Sequence, residues 1–242
     1  MSSFFVTGTD TNVGKTIVSR AIIQALQSQG IKIVGYKPIA CGDEDSSYPT
    51  LPQEGDYTNY DNPDVKVLLD STEQAVTYQE INSYTFTQSS TPVLAALNAV
   101  QNINIEKIDN NLSTLNQKYQ AVLVEGTYGW LTPMNEEINF AKWVQCHQMP
   151  VILVVGIKEG CINHALLTAQ SILAMGLPLV GWVANRVNPC LRNYAEIIEL
   201  LKKEIEAPLL GEIPYVHRPE KQQLGNYLNS SEAFSIIQKM IK

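Results

Sequence analysis

The chain has 242 residues and a net charge of −7. With 45% of its residues hydrophobic it can bury one large α/β core. The acidic balance argues against a nucleic-acid backbone as main partner, because strand phosphates need clustered Lys and Arg.

No segment approaches the 18 or so consecutive apolar residues of a membrane span, so none is expected. The start, Met-Ser-Ser-Phe-Phe-Val-Thr-Gly, lacks the basic and long apolar regions of a secretory signal. Cys41, Cys146, Cys161 and Cys190 form no CxxC pair, which points to reduced thiols and a cytoplasmic protein. His147, His164 and His217 show no zinc-ligand spacing.

In chain order, Phe4–Thr7 predicts a strand and Thr16 to about Ser28 a helix, with Ile17, Ala21, Ile22, Ala25 and Leu26 on helical spacing. Gly30 fits its C-terminal cap, and Ile31–Tyr36 predicts a second strand. Residues 43–62, rich in Asp, Ser, Pro, Tyr and Asn, predict a long exposed loop leading into a helix near Asp64. Thr91–Val100, Ile105–Gln117, Ala165–Met175 and Tyr194–Ile205 predict helices. Ala121–Val124, Val151–Val155 and Val180–Ala184 are short β-branched runs of the kind buried on both faces of a sheet. The alternation predicts a single-domain, doubly wound, mostly parallel α/β sheet over residues 1–242, with helices on both faces.

Between the first strand and helix lies Gly8-Thr9-Asp10-Thr11-Asn12-Val13-Gly14-Lys15-Thr16, the setting a phosphate-binding loop requires. Backbone N–H groups and the helix dipole would face phosphate there. Gly14 allows close approach, Lys15 would neutralise phosphates, and the Thr16 hydroxyl would ligate Mg²⁺. Five residues separate Gly8 from Gly14, so Thr9 stands where the strict motif has its first glycine. Glu125 ends a predicted strand on the ligand edge of such a sheet, placed to bind Mg²⁺ directly or through water. Lys37 ends another and would stabilise a transferring phosphoryl group.

Several separated motifs then point to one family. They are Phe5–Thr11 with Val13–Thr16, Gly35–Pro38, Tyr84–Phe86, Leu123–Gly126 with Gly129-Trp130, Pro150–Gly156, Gly160–Ala165, Gly181–Asn185 and Ala207–Pro214. In this order they resemble the dethiobiotin synthetase family of P-loop NTPase type. The resemblance implies an ATP-dependent carboxylase-cyclase using 7,8-diaminononanoate, CO₂, ATP and Mg²⁺, working as a homodimer with composite sites. It places Lys15 and Lys37 at phosphate and carbamate, and Thr11 at the reacting centre. It makes Thr16, Asp64 and Glu125 the Mg²⁺ ligands, with spacing to Asn82–Phe86 favouring Asp64 over Asp43, Asp45, Asp56 and Asp61. Asn12, Val13, Gly14, Ile17 and Gly126 fall at the nucleotide phosphates, and Asn185 with Arg186 at adenine. Pro214, Tyr215, Val216 and Glu220 fall at the far end of the nucleotide site. Cys41 and Tyr128 fall beside the substrate, and Asn163, at a helix start, at its carboxylate across a dimer interface.

The chain departs from the family pattern in three places. Cys41 replaces Ser or Thr, and a thiol is the poorer hydrogen-bond donor. Glu-Gly-Ala-Gly-Gly reads Glu125-Gly126-Thr127-Tyr128-Gly129, which would narrow the pocket or move the loop. Ile197 replaces a tyrosine at the carboxylate, with Tyr194 one turn earlier as a substitute. These changes leave open a ligase of the same architecture acting on another amine or carboxylate. A nucleotide-switch ATPase would carry a second lysine in the loop, where Asp10 stands, or a membrane-targeting helix.

Overall fold

The structure, a computed structural model, describes residues 2–42, 62–229 and 234–241. Among the described residues, seven strands form one sheet: β1 (Ser2–Gly8), β2 (Ile33–Cys41), β3 (Asn82–Phe86), β4 (Ala121–Glu125), β5 (Val151–Gly156), β6 (Leu179–Asn185) and β7 (Leu209–Ile213). Their order is β3-β2-β4-β1-β5-β6-β7, and every pairing is parallel. The doubly wound sheet expected from the sequence is therefore parallel throughout. β4 and β5 are buried at every position, which requires cover on both faces.

The crossovers carry α1 (Lys15–Gln27), α2 (Pro63–Ser71), α3 (Tyr78–Ile81), α4 (Pro92–Asn98), α5 (Ile105–Lys118), α6 (Phe140–Cys146), α7 (Cys161–Ala174) and α8 (Tyr194–Glu204). Two short helices, α9 (Asn226–Asn229) and α10 (Ser235–Ile241), follow β7. Among the described residues no helix is long and apolar enough to cross a membrane.

β3, β7, α6 and the short helices α3, α9 and α10 are additions to the elements expected from pattern alone. β3 and β7 are the two sheet edges, where a strand pairs on one side only and polar residues are tolerated, so their apolar signal is weak. α7 begins a turn before the expected Ala165, because Cys161 continues the buried row of Ala165, Ala169 and Ile172. The expected loop at 43–62 lies outside the described residues as far as position 61, and with it Asp43, Asp45, Asp56 and Asp61.

α1 is buried along most of its length, lying between the sheet and two later segments. Gly30 closes it: the Gly30 N–H donates to Gln27 O (2.8 Å) and the Ile31 N–H to Leu26 O (3.1 Å), the paired bonds of a Schellman cap. Gln24 holds the C-terminal segment against α1. Its side-chain oxygen accepts from the Leu224 N–H (2.7 Å) and its amide donates to Gln222 O (3.1 Å).

Pro38 in β2 has a simple place. Residues 33–36 pair with β4, whereas pairing with β3 begins at Lys37. The proline's missing N–H falls where the ladder passes from one neighbour to the other. Lys37 does not end its strand as expected, because pairing with β3 carries β2 on to Cys41; the register still sets Tyr36 opposite Val124 and brings Lys37 level with Glu125, the last residue of β4.

Candidate active site

The β1–α1 loop is seated by Val13, which is fully buried. A Cβ on Gly8 would come within 2.6 Å of Val13, and one on Gly156 within 2.9 Å, so both glycines make room for this anchor. Gly14 turns the chain at φ +87, a left-handed conformation that favours glycine. A Cβ there would also lie 2.0 Å from the Asn185 amide nitrogen, which donates to Val13 O at 2.9 Å. The first helical bond of α1 is the Val18 N–H to Gly14 O. Lys15, Thr16 and Ile17 thus precede the first intrahelical donor, at the positive end of the helix dipole, and all three line one cavity.

Below the loop, four side chains from four elements converge. The Lys37 ammonium donates to Asp64 Oδ2 and to Glu125 Oε1, both at 2.6 Å. The Thr16 hydroxyl lies 2.8 Å from Asp64 Oδ1 and 2.8 Å from Glu125 Oε1. Its single proton serves one carboxylate at a time. Lys37 is 2% exposed and Glu125 is fully buried. Asp64 is brought there by the cap of α2: Asn62 Oδ1 accepts from the Asp64 N–H at 3.0 Å, and Pro63 supplies the helical φ of the first turn.

The electrostatics follow from this packing. Burial opposes the Lys37 charge, but Asp64 and Glu125 outweigh it and raise the ammonium above the usual lysine range. Burial likewise pushes the Asp64 carboxyl up, and the Lys37 charge and hydrogen bond with the Thr16 bond overcome it, leaving the carboxyl below its ordinary value. Among the described residues, Lys15 has no such direct carboxylate partner. Its Nζ donates to Asp10 O at 2.9 Å, and burial, then the nearby Lys37 charge, lowers it to about 8.

Lys15, Thr16, Lys37 and Asp64 open onto a cavity of about 910 Å³, while fully buried Glu125 lies behind its wall. Of the residues singled out in the sequence, it is lined by Thr11, Asn12, Gly14, Lys15, Thr16, Ile17, Lys37, Cys41, Asp64, Tyr128 and Glu220. Gly42, Asn62, Pro63, Val67, Ser89, Thr127, Val187 and Pro219 also line it and were not singled out. Thr127 and Val187 each lie within two residues of a strand end on the ligand edge, a signal that could have found them. The Thr127 hydroxyl donates to Ile39 O and ties this loop to β2. Tyr128 follows at φ +59, a left-handed conformation that the family's usual glycine adopts without cost. Burial pushes the Cys41 thiol up to about 12, against the Lys37 charge, so it stays protonated at neutral pH.

Other singled-out residues lie apart from the cavity wall. Val13 and Asn185 are buried behind the loop, and Gly126 packs on Phe5. Arg186 stacks its guanidinium over the Tyr194 ring at 4.5 Å and donates to Pro189 O at 3.0 Å. The Arg186 N–H donates to Ile213 O at 2.9 Å, which sets Pro214, Tyr215 and Val216 just beyond it. Asn163 lines a separate depression of about 480 Å³ at the start of α7, with Lys158 and Ile197 among its neighbours. Tyr194 is not part of that depression. Its hydroxyl reaches toward Glu212 Oε2 at 3.5 Å, so it does not replace the tyrosine missing at Ile197.

The donor set suits Mg²⁺. Thr16, Asp64 and Glu125 supply hard oxygens, and Glu125 Oε2 is buried without a hydrogen-bond partner among the described residues. Among the described residues there is no cluster of three or more His, Cys, Asp or Glu side chains that could hold a metal ion. Mg²⁺ is commonly held by one or two carboxylates together with substrate phosphate, as this set allows.

Comparison with known proteins now adds a family. A sequence model described as an AAA domain matches residues 2–223. An ATP-dependent dethiobiotin synthetase from Haemophilus ducreyi is 61% identical over 95% of this chain and 82% of its own length. One from Pasteurella multocida is 58% identical over 100% of this chain and 99% of its own length, and one from Escherichia coli K12 is 45% identical over 98% and 96%. In fold, the chain is similar to the septum site-determining protein MinD from Pyrococcus horikoshii (TM-score 0.53, 15% identity, covering 99% and 95% of the two chains). It is equally similar to a ParA-family ATPase from Chlorobium tepidum (TM-score 0.52, 15% identity, 99% and 98%). The loop, the parallel sheet and the near-full-length relatives lead to one conclusion: the chain belongs to the ATP-dependent dethiobiotin synthetase family.

Proposed function

We propose that this chain carboxylates 7,8-diaminononanoate with CO₂ and closes the ring at the expense of ATP, yielding dethiobiotin, ADP and phosphate. The observation that supports this most is the placement of Lys15, Lys37 and the α1 start on one cavity wall, beside partly exposed Asp64 and with buried Glu125 behind them.

One amine captures CO₂ as a carbamate and loses a proton. The carbamate oxygen attacks the γ-phosphorus, the bond to the β-phosphate oxygen breaks, and ADP leaves. The second amine attacks the carbonyl of the mixed anhydride and loses a proton, phosphate leaves with the bonding pair, and a cyclic urea remains. The protein's part is to hold these groups in line and offset charge. Lys15 and the first N–H groups of α1 face the phosphates. Lys37 and Thr11 sit where charge develops on the transferring group. Thr16, Asp64 and Glu125 would hold Mg²⁺, which when bound neutralises the nucleotide's phosphate charge. Ile17, Val187, Pro219 and Glu220 line the same cavity, and we assign them to the base. Cys41 and Tyr128 wall the substrate end.

We also infer a single domain acting as a cytoplasmic homodimer, with Asn163 of one protomer receiving the substrate carboxylate of the other. Cys41, Tyr128 and Ile197 favour a second reading, the same chemistry on a different amine. Phosphate release with ATP and bicarbonate separates the two. Strong dependence on the diaminononanoate, with a cyclic urea product, is expected. Turnover indifferent to that diamine would overturn the first reading.

A further inference from the structure

We propose that Lys37 is the resident cation of the metal site, and that a divalent cation loads there only together with nucleotide phosphate. The proposal rests on the reading of Thr16, Asp64 and Glu125 as metal ligands and adds a rule for how they are filled.

The Lys37 ammonium holds one oxygen of each carboxylate at 2.6 Å, and the Thr16 hydroxyl is within 2.8 Å of both carboxylates. Three of the four carboxylate oxygens a metal would use are therefore already held by Thr16 or by an internal cation that is 2% exposed, and Glu125 Oε2 is the exception. Charge balance makes this stable. Two ammoniums, Lys15 and Lys37, offset two carboxylates, Asp64 and Glu125, at a site where Lys37 and Glu125 are buried and Asp64 reaches the cavity. A bare divalent ion entering would leave two uncompensated positive charges there, and an evicted Lys37 would lose both carboxylates with no new anion. Uncompensated charge is costly in a buried site.

Nucleotide phosphate removes both obstacles. It brings negative charge with the metal, and it gives Lys37 a destination, since Lys37 lines the same cavity as Lys15 and the start of α1. A lysine can make such a move because its charge rides on a flexible four-carbon stem. Its backbone is held in β2, next to Pro38, so the motion belongs to the side chain. Metal loading and delivery of Lys37 to the transferring phosphoryl group are then one event. The nucleotide-free enzyme is guarded against stray divalent ions by its own lysine.

The test measures binding without turnover. Mn²⁺ serves as a paramagnetic probe with the full chain, in the absence and presence of a β,γ-imido ATP analogue. Without nucleotide, Lys37→Met and Lys37→Gln should bind Mn²⁺ at least ~tenfold more tightly than the wild type, the factor expected if Lys37 occupies the site about nine-tenths of the time. The wild type should gain Mn²⁺ binding when the analogue is added. Should either variant fail to fold, ¹⁵N-lysine NMR of the wild type decides. The Lys37 ammonium signal should ignore Mg²⁺ alone and move with Mg²⁺ plus analogue. Equal Mn²⁺ affinity in wild type and variants, or a Lys37 signal that moves with Mg²⁺ alone, overturns the interlock. Glu125→Gln separates the two levels. If it leaves analogue-dependent Mn²⁺ binding intact, the metal-ligand reading fails as well. If it abolishes that binding while the lysine comparison fails, only the interlock falls.

Discussion

Lys15 shows how one side chain links packing to function. Its burial and the neighbouring Lys37 charge lower it to about 8 from an ordinary 10.5. Between those values the unfolded chain holds a proton that the folded enzyme has released. The cost that this buried charge imposes on the fold is therefore full below about 8 and is relieved as pH rises across that window. Phosphate binding favours the charged form, so the sign for ligand affinity is opposite. The affinity for an ATP analogue should be flat from pH 7 to about 8 and then weaken with a slope of at most ~tenfold per pH unit, the limit for one linked proton. Calorimetric titration across this range checks it, and Lys15→Met should lose the slope along with most of the affinity. Tyr128 carries a different lesson at the same scale. The sequence showed a bulky residue where the family has glycine, and it left open whether the loop would move. The backbone keeps the left-handed conformation at φ +59, and Tyr128 occupies it, at a cost on the order of 1–3 kcal/mol.

Among the elements, α2 matters out of proportion to its length. Nine residues do not hold a helix in water unaided. Asn62 stabilises it at both ends of its own amide: the oxygen accepts from the Asp64 and Val65 N–H groups, and the nitrogen donates to Gly42 O at 2.7 Å. Asn62→Ala should cost about 1–2 kcal/mol in urea unfolding, the range for a lost cap with a buried partner. It should also weaken Mg²⁺-dependent nucleotide binding, because Asp64 sits on the first turn. A loss of stability with unchanged binding would show that Asp64 is positioned by Lys37 and Thr16 alone. The same scale explains which elements pattern could find. The central strands are continuous aliphatic runs because both faces are covered. β3, written Asn-Ser-Tyr-Thr-Phe, and β7, with Gly211 and exposed Glu212, are edges that need fewer apolar residues. Their strand character comes from a neighbour's ladder.

For the whole molecule, the strand order decides where chemistry collects. Chain connections diverge on the two sides of β1, and the loop after β1 lies at the carboxyl ends of its neighbours, where open parallel sheets bind ligands. Lys37 from β2, Glu125 from β4 and Asn185 from β6 reach that edge together. Asn163 does not line their cavity, although Lys158 beside it contacts Asp10 of the phosphate loop at 3.2 Å. If the substrate carboxylate is received by Asn163 of a second protomer, a variant dead at Lys15 and one crippled at Asn163 should complement each other. Random reassortment of two such subunits restores about a quarter of the sites in a twofold dimer. Activity of the mixed and re-equilibrated variants tests this, and no recovery above either variant alone would place the carboxylate site within one chain.

By itself, the sequence determined the phosphate loop, the central strands, the major helices and the family, because each rests on local pattern or on motifs read in order. It also exposed the three atypical positions, Cys41, Tyr128 and Ile197. Only the tertiary structure decided what those residues meet. Register placed Lys37 level with Glu125, and a cap on a short helix carried Asp64 to the same point. Tyr194 turned toward Arg186 and away from the Asn163 depression. Such outcomes depend on distances between segments far apart in the chain, which no local periodicity encodes. The burial that lowers Lys15 and the cation held between two carboxylates exist only once those segments pack.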